Sequence, residues 1–350
     1  MILFLFPYRK IKIYYNKYVG LTEISVEKFN NLAYAEPDGN VFQNSCWADH
    51  EVKNGYRPVF FEYLNDYGTT MALAMFLLKK NSVFNRFTAY CPNGYLINWY
   101  DDELLRAFNE ELIVSLKKYR VNRIVIEPHV AVEKAGRHVS EVLESIGYQK
   151  TKEIFTYEID VNGFERNLSD SNIILKVRRT EGDISEYRDF FKNNRNSEYL
   201  ELYDSLKPYT AFYTVSLDSY KSKRAANENI QECKIYIDEH KDDYKFEQKI
   251  AGKEQEIKRI NQIVAGIERY EKSHGTDPLV YGMGVTEYSG KIGRLFTISL
   301  DPQNFFNAEA ELINKIVEDA HEKGCIIVDG SQEFSNARKT ELIGEYTLNF

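Results

Sequence analysis

The 350-residue sequence is poor in cysteine, tryptophan and proline, and it has no long apolar run. Its four cysteines, Cys46, Cys91, Cys233 and Cys325, are widely spaced and form no C-x-x-C pair. That spacing argues against a disulfide framework or a cysteine-based zinc site and predicts reduced thiols in a cytoplasmic protein. The six histidines (His50, His129, His138, His240, His274 and His321) fall in no metal-ligand spacing, H-E-x-x-H included. No metal or cofactor is therefore expected. The chain also lacks a G-x-S-x-G elbow, a Walker loop and a Rossmann glycine fingerprint. The opening apolar run, residues 1–6 (MILFLF), has no basic stretch before it. It is too short for a signal core or a membrane span and reads as a β-strand. Basic residues are outnumbered by acidic ones, 45 to 53, for a net charge of −8. That balance excludes nucleic-acid binding through a broadly basic surface, though not through a local basic groove.

Apolar residues make up 43% of the chain and charged residues 28%, enough for a full core and a solvated surface. The length predicts two domains or one large one. The abundant tyrosine (26) and phenylalanine (21) read first as core and strand filling. Residues 59–64 and 71–78 are strand-like runs around the turn signal Asp66–Gly68. Residues 101–119 predict a helix, with Asp101 or Asp102 as cap and Leu104, Leu105, Phe108, Leu112 and Leu116 on one face. A short buried strand, Arg123–Glu127, is stopped by Pro128. A second helix, about 132–146, ends at Gly147. A strand follows at about 154–160. This order predicts an α/β layered domain over 1–165.

Residues 217–273 change character: proline is absent and charge is dense. Phe246, Ile250, Lys253, Ile257, Ile260, Val264 and Ile267 keep the 4-3-4-3 spacing of a heptad seam, as do Ala226, Ile230, Cys233 and Ile237 upstream. Residues 238–243 (DEHKDD) separate the two runs. The pattern predicts two antiparallel helices in a coiled-coil hairpin. Twelve Lys/Arg against eleven Asp/Glu over 221–273 leave it nearly neutral. It reads either as a solvated helix pair or as a docking arm. Strand-like segments return at 277–285, 293–298 and 325–328, with a helix at 307–323. The hairpin is thus expected as an insertion in a second α/β domain made of 166–216 and 274–350. The sequence stops at Phe350 with no evident closing strand. Tyr281–Gly284 contains a lone Gly-x-Gly, which reads as a bulge or turn. The Arg/Gln-x-x-Gly-x-Gly/Ala loop with which ordinary N-acetyltransferases grip pyrophosphate is absent.

Several short stretches occur in an order that resembles the Fem-type (FemABX) family of peptidoglycan interpeptide-bridge aminoacyltransferases. Residues 42–47 (FQNSCW) resemble its F-x-Q-S-x-x-W opening. Residues 90–105 resemble its Pro-x-Gly-Pro stretch, with Tyr95 in place of the second proline. Val125-Ile126-Glu127-Pro128 resembles its hydrophobic-Asp/Glu-Pro strand end. The hairpin matches its coiled-coil arm in position, and Val328-Asp329-Gly330 resembles its Tyr-Asp-hydrophobic-Gly strand. The resemblance spans about residues 40–350. It implies two GNAT-like acyltransferase domains and no cofactor. It also implies aminoacyl-tRNA as donor and a lipid-linked or UDP-linked muramyl pentapeptide as acceptor, handled at the inner face of the membrane without a transmembrane segment.

The resemblance further implies site residues. Lys53, six residues after Trp47, matches a lysine near substrate phosphates. Arg195 and Tyr199 match an Arg-x-x-x-Tyr pair on the nucleotide diphosphate; on a helix that spacing puts both on one face. An arginine fork suits diphosphate oxygens. Tyr346 matches a phenylalanine of the closing motif. Thr347 stands where the family has a lysine that is held to stabilise the oxyanion. With a neutral hydroxyl there, the donor role is expected to have moved to Lys339 or Arg338, or the activity to have changed. The segment between 160 and 195 is also shortened, keeping only Lys176, Arg178 and Arg179 of a usual arginine-rich stretch. Two other readings stay open: acyl or aminoacyl transfer to another surface polysaccharide precursor, and a degenerate, non-catalytic binding protein.

Overall fold

A computed structural model describes residues 18–350 apart from 82–84, 135, 169, 183, 186–187, 189–196, 302–303, 326 and 331–336. The expected strand at 1–6 and Arg195 therefore lie outside the described residues. Contacts divide the chain into two units. One holds the described residues up to Asp38 together with Phe42–Lys152 and Ile343–Phe350; the other holds Gly39–Val41 and Glu153–Leu342. This division differs from the expected one: Gly39–Val41 falls in the second unit. The boundary falls within a strand at 152/153, and the last eight residues join the first unit.

The first unit contains β1 (Tyr18–Glu23), α1 (Val26–Ala35), α2 (Ser45–Lys53), β2 (Arg57–Asn65), β3 (Thr70–Lys80), β4 (Phe87–Cys91), β5 (Leu96–Ile97), α3 (Asp102–Lys117), β6 (Val121–Ile126) and α4 (Gly136–Ser145). Its strand order is β1-β2-β3-β4-β6, with β5 on β3. Neighbours are antiparallel except β4 and β6, which run parallel with α3 as their crossover. As the sequence predicts, Asp101 caps α3 by accepting from the Leu104 N–H at 3.0 Å. Leu104, Leu105, Phe108, Leu112 and Leu116 are buried to 1% exposure or less. Each such side chain contributes roughly 1.5–3 kcal/mol relative to exposure. That buried stripe, more than intrinsic propensity, holds the segment helical.

β7 (Gln149–Asp160) crosses into the second unit, which continues with β8 (Leu175–Glu181), α5 (Ser197–Leu206), β9 (Thr210–Leu217), α6 (Ser219–His240), α7 (Glu247–His274), β10 (Leu279–Tyr288), β11 (Lys291–Ser299), α8 (Ala308–Glu322) and β12 (Ile327–Gly330). Its order is β8-β9-β10-β11-β12-β7. Here the parallel pair is β11/β12, with α8 as crossover, and β7 closes the sheet antiparallel to β12. The same scheme thus appears twice: four antiparallel strands, a helical crossover to a parallel fifth, and a closing sixth. The closing strand of the first unit is supplied by the chain end. β13 (Arg338–Asn349) pairs antiparallel with β6, Tyr346 facing Ile126 and Thr347 facing Val125. Sequence reading missed it because its pairing partner lies some 220 residues upstream.

α6 and α7 form the antiparallel hairpin, between β9 and β10. Ala226, Ile230 and Ile260 make its buried seam, with Ile257 and Val264 alongside. The seam is not self-contained. Ile263, off the predicted spacing, and Ile267, on it, are buried in the core of the second unit. The Tyr270 hydroxyl donates to the Leu300 carbonyl at 2.6 Å, and its ring meets Phe306 edge-on at 4.7 Å. Phe246 sits in the turn between the helices, against His240 at 4.4 Å.

Candidate active site

In α/β sheets, ligands gather at the carboxyl ends of parallel strands, where the chain leaves the sheet. In the first unit that place is the end of β4 and β6. Pro92 follows β4 and Pro128 follows β6, and neither can donate to a continuing ladder. The last backbone bond is Glu127 N–H to the Cys91 carbonyl, 3.3 Å. Beside it, β3 loses its neighbour between its pairings with β4 and β5. The fully buried side chain of Gln43 fills the gap. Its Oε1 accepts from the Met75 N–H at 2.8 Å, and its Nε2 donates to the Pro92 carbonyl at 2.7 Å and approaches the Met75 carbonyl and Cys91 Sγ, each at 3.5 Å. The glutamine of the F-x-Q motif is thus a substitute for missing strand. Asn44 beside it caps α2, accepting from the Cys46 N–H at 2.9 Å.

On one face of this strand end sits a set of titratable groups. The Tyr90 hydroxyl donates to Glu127 Oε2 at 2.6 Å. The Thr151 hydroxyl donates to Glu345 Oε1 at 2.6 Å. Glu345 and Glu127 each adjoin the Tyr346–Ile126 pair that ends the β13/β6 ladder, and the charge of Glu345 acts on the Glu127 carboxyl. Burial pushes the Glu127 carboxyl up and Glu345 adds to this, while Tyr90 and Lys152 pull the other way. Burial, with the adjacent Glu127, keeps the Tyr90 phenol protonated. Among the described residues no cation lies within ion-pair distance of either carboxylate. Gly344 makes this spacing feasible: its φ is +105°, and a Cβ there would collide with the Lys152 carbonyl oxygen.

The residues singled out from sequence are distributed as follows. Thr347 is 4% exposed, and its hydroxyl accepts from Arg123 Nη2 at 3.4 Å. Tyr346 is fully buried in the core of the first unit, with burial pushing its phenol up. Lys339 is exposed, its ammonium 4.0 Å from the centre of the Phe155 ring. It lies eight residues from Thr347 on β13, about 26 Å at the rise of a strand. Trp47 packs edge-on against Phe42 at 4.9 Å and beside His50 at 5.7 Å, with its indole N–H enclosed. Lys53 is the last, exposed residue of α2. Tyr199 is in α5. Tyr95, in the position of the family's second proline, is buried in a hydroxyl network: its oxygen is 2.8 Å from that of Tyr148 and 3.1 Å from Asn109 Oδ1.

Two cations of the shortened 160–195 segment are built into the second unit. Lys176 pairs with Asp218 at 3.0 Å and Asp277 at 3.6 Å, at the root of the hairpin. Arg179 donates to Glu287 at 2.9 Å and to the Tyr213 hydroxyl at 3.1 Å, and it pairs with Glu181. Tyr213 in turn donates to Asp319 at 2.7 Å. Two surface pockets of this unit, ≈ 310 and ≈ 330 Å³, are lined by none of the predicted site residues.

Glu127 appeared in the sequence reading only as part of a strand-end motif; Tyr90, Thr151, Lys152, Glu345 and Arg123 were not found there. The Glu-Pro dipeptide after a short apolar run was the available signal, since it predicts a carboxyl fixed where a buried strand ends.

The repeated scheme of antiparallel strands, helical crossover and parallel fifth strand defines an α/β, GNAT-like protein. Over residues 24–167 the chain matches the FemAB family. The crystal structure of FemX superposes with a TM-score of 0.70 at 16% identity, over 95% of this chain and 98% of that one. A tandem GNAT protein from the clavulanic acid biosynthesis pathway matches at a TM-score of 0.49 and 8% identity, over 94% and 98%. No curated protein matches the sequence. Among the described residues, no helix is long and apolar enough to cross a membrane.

Proposed function

We propose that the chain transfers an amino acid from aminoacyl-tRNA to an amine of the stem peptide of a peptidoglycan precursor, lipid-linked or UDP-linked. The observation that carries this reading is the FemAB match over residues 24–167, joined to a fold shared with FemX along nearly the whole chain. The reaction needs no nucleophilic side chain. The acceptor amine attacks the donor ester, and the protein positions the two and stabilises the charge that develops. Lys53, Trp47, Arg195 and Tyr199 are assigned to the acceptor side and Thr347 to the reacting centre; Lys339, eight residues away along β13, is too far to share that centre, and Tyr346, fully buried, supports the strand from the core. Arg123 donates to the Thr347 hydroxyl at 3.4 Å and is assigned, in this reading, the charge that a threonine hydroxyl lacks. The test is transfer of a labelled amino acid from charged tRNA to a muramyl pentapeptide by the purified chain.

A further inference from the structure

We infer that residues 170–174 form a strap that locks the α6/α7 hairpin to the edge strand β8, making the hairpin a rigid lever whose tip is held in one place. The strap lies wholly within the second unit and does not depend on the aminoacyl-transfer reading.

A helix pair joined to a sheet only at its base can swing about that base. Here the base is held by the buried Ile267 and by the Tyr270 hydroxyl on the Leu300 carbonyl. A second attachment lies further out. Asn229 stands about 15 Å along α6 from Ser219, and Arg259 about 22 Å along α7 from His274, at the rise of an α-helix. The strap reaches both helices at these points. Asn172 Oδ1 accepts from Asn229 Nδ2 at 2.7 Å, and Asp170 Oδ2 accepts from Arg259 Nη1. Nearer the base, the Ile174 N–H donates to the buried Ser222 hydroxyl at 2.8 Å, and the Ile174 carbonyl accepts from the Asp218 N–H at 2.8 Å. Leu175, the next residue, opens β8, which ends the strand order of the sheet. Held at its base and again part-way up, the arm cannot swing without breaking one attachment, and a load on it passes to β8.

The two outer catches differ in kind. Asn172 is 1% exposed. Its amide bond is directional, so it sets the rotation of α6 as well as its distance, and losing the partner strands a buried polar group. Asp170 and Arg259 are partly exposed. Arg259 also donates to Glu256 at 2.6 and 3.0 Å, and Asp170 also accepts from the backbone and side-chain nitrogens of Asn172, each at 2.9 Å. Neither loses its last partner when the pair parts, so this catch opens at lower cost and weakens with salt. Burial works against the charge of Asp170, but the bonds from Asn172 and Arg259 hold its carboxyl below the usual range. At the far end, Tyr244 and Ile235 are left exposed at a fixed reach.

The experiment reads the position of the arm directly. Spin labels are placed on Tyr244→Cys, in the turn between the helices, and Glu322→Cys, at the end of α8. A Cys46→Ser background leaves only the three buried native thiols. Pulsed electron paramagnetic resonance should give one narrow distance for the otherwise wild-type chain. Asn172→Ala should broaden it, and should speed hydrogen exchange of the Asp218 amide by roughly tenfold, the equivalent of one hydrogen bond. Should Asn172→Ala not fold, Arg259→Ala, a change at a partly exposed pair, is expected to broaden the distance to a smaller degree. Glu228→Ala breaks only a pair within α6, with Arg224, and should leave the distance narrow. A broad distribution before any strap residue is changed, a narrow one in both Asn172→Ala and Arg259→Ala, or equal broadening in Glu228→Ala overturns the strap.

Discussion

The side-chain amide of Gln43 serves both backbone groups of Met75, accepting from its N–H at 2.8 Å and facing its carbonyl at 3.5 Å. A third contact, to the Pro92 carbonyl at 2.7 Å, ties the end of β4 into the same arrangement. The strand ends that carry Tyr90 and Glu127 are therefore set in part by a residue 47 and 84 positions upstream of them.

Replacing Gln43 by alanine should be costly. It strands a buried N–H and a buried carbonyl, each worth roughly 1–3 kcal/mol when left without a partner. Denaturant unfolding of Gln43→Ala is expected to show a lower midpoint with an unchanged slope. A midpoint equal to wild type would mean that the bridging role is wrong.

The hairpin should divide into a dispensable outer part and a required root. Ile267→Ala is expected to destabilise by about 2–5 kcal/mol, the range for a fully buried large-to-small change. Ile257→Ala, half-buried on the seam, should cost less. Shortening the arm by removing 231–256 in favour of a short linker should leave one cooperative melt, because Ile263, Ile267 and Tyr270 keep their places. Loss of cooperativity in that shortened chain would contradict the division.

Asp319 should make stability depend on acid. Burial works against its charge, but Lys315 at 2.5 Å, the Tyr213 hydroxyl and Arg179 hold the carboxyl below its usual range. A carboxyl depressed in the folded state stabilises fully above its unfolded pKa, and that contribution disappears as pH falls through the folded value. Asp319→Asn should therefore be less stable at neutral pH, by about 1.5–3 kcal/mol for lost charged hydrogen bonds. The deficit should shrink as pH drops below the carboxylate range. Urea midpoints across pH would settle the point, and a deficit constant with pH would oppose it.

Local patterns were legible in the sequence: the Asp101 cap and buried stripe of α3, the β2/β3 turn, and the two long helices. Each depends on residues within a few turns of one another. The closing strand β13 was not legible, because its meaning lies in a pairing with β6. Nor was the role of Ile263, which leaves the heptad spacing to enter a core made by other elements. The same limit applied to the candidate site. Glu127 was visible as a strand-end carboxyl, but Tyr90 reaches it from β4 and Glu345 from the chain end. Arg179 was visible only as one of three cations kept from a usual arginine-rich stretch, whereas the fold engages it with Glu287, Tyr213 and Glu181.

The most direct measurement is transfer of a radiolabelled amino acid by the purified chain. The donors would be the full set of charged tRNAs, and the acceptors UDP-linked and lipid-linked muramyl pentapeptides. Label should appear on an amine of the stem peptide, depend on intact aminoacyl-tRNA, and vanish when the tRNA is first digested with ribonuclease. Absence of label on every stem peptide with every amino acid, from a folded protein, would contradict the account and leave transfer to another glycan precursor, or binding without catalysis, in its place.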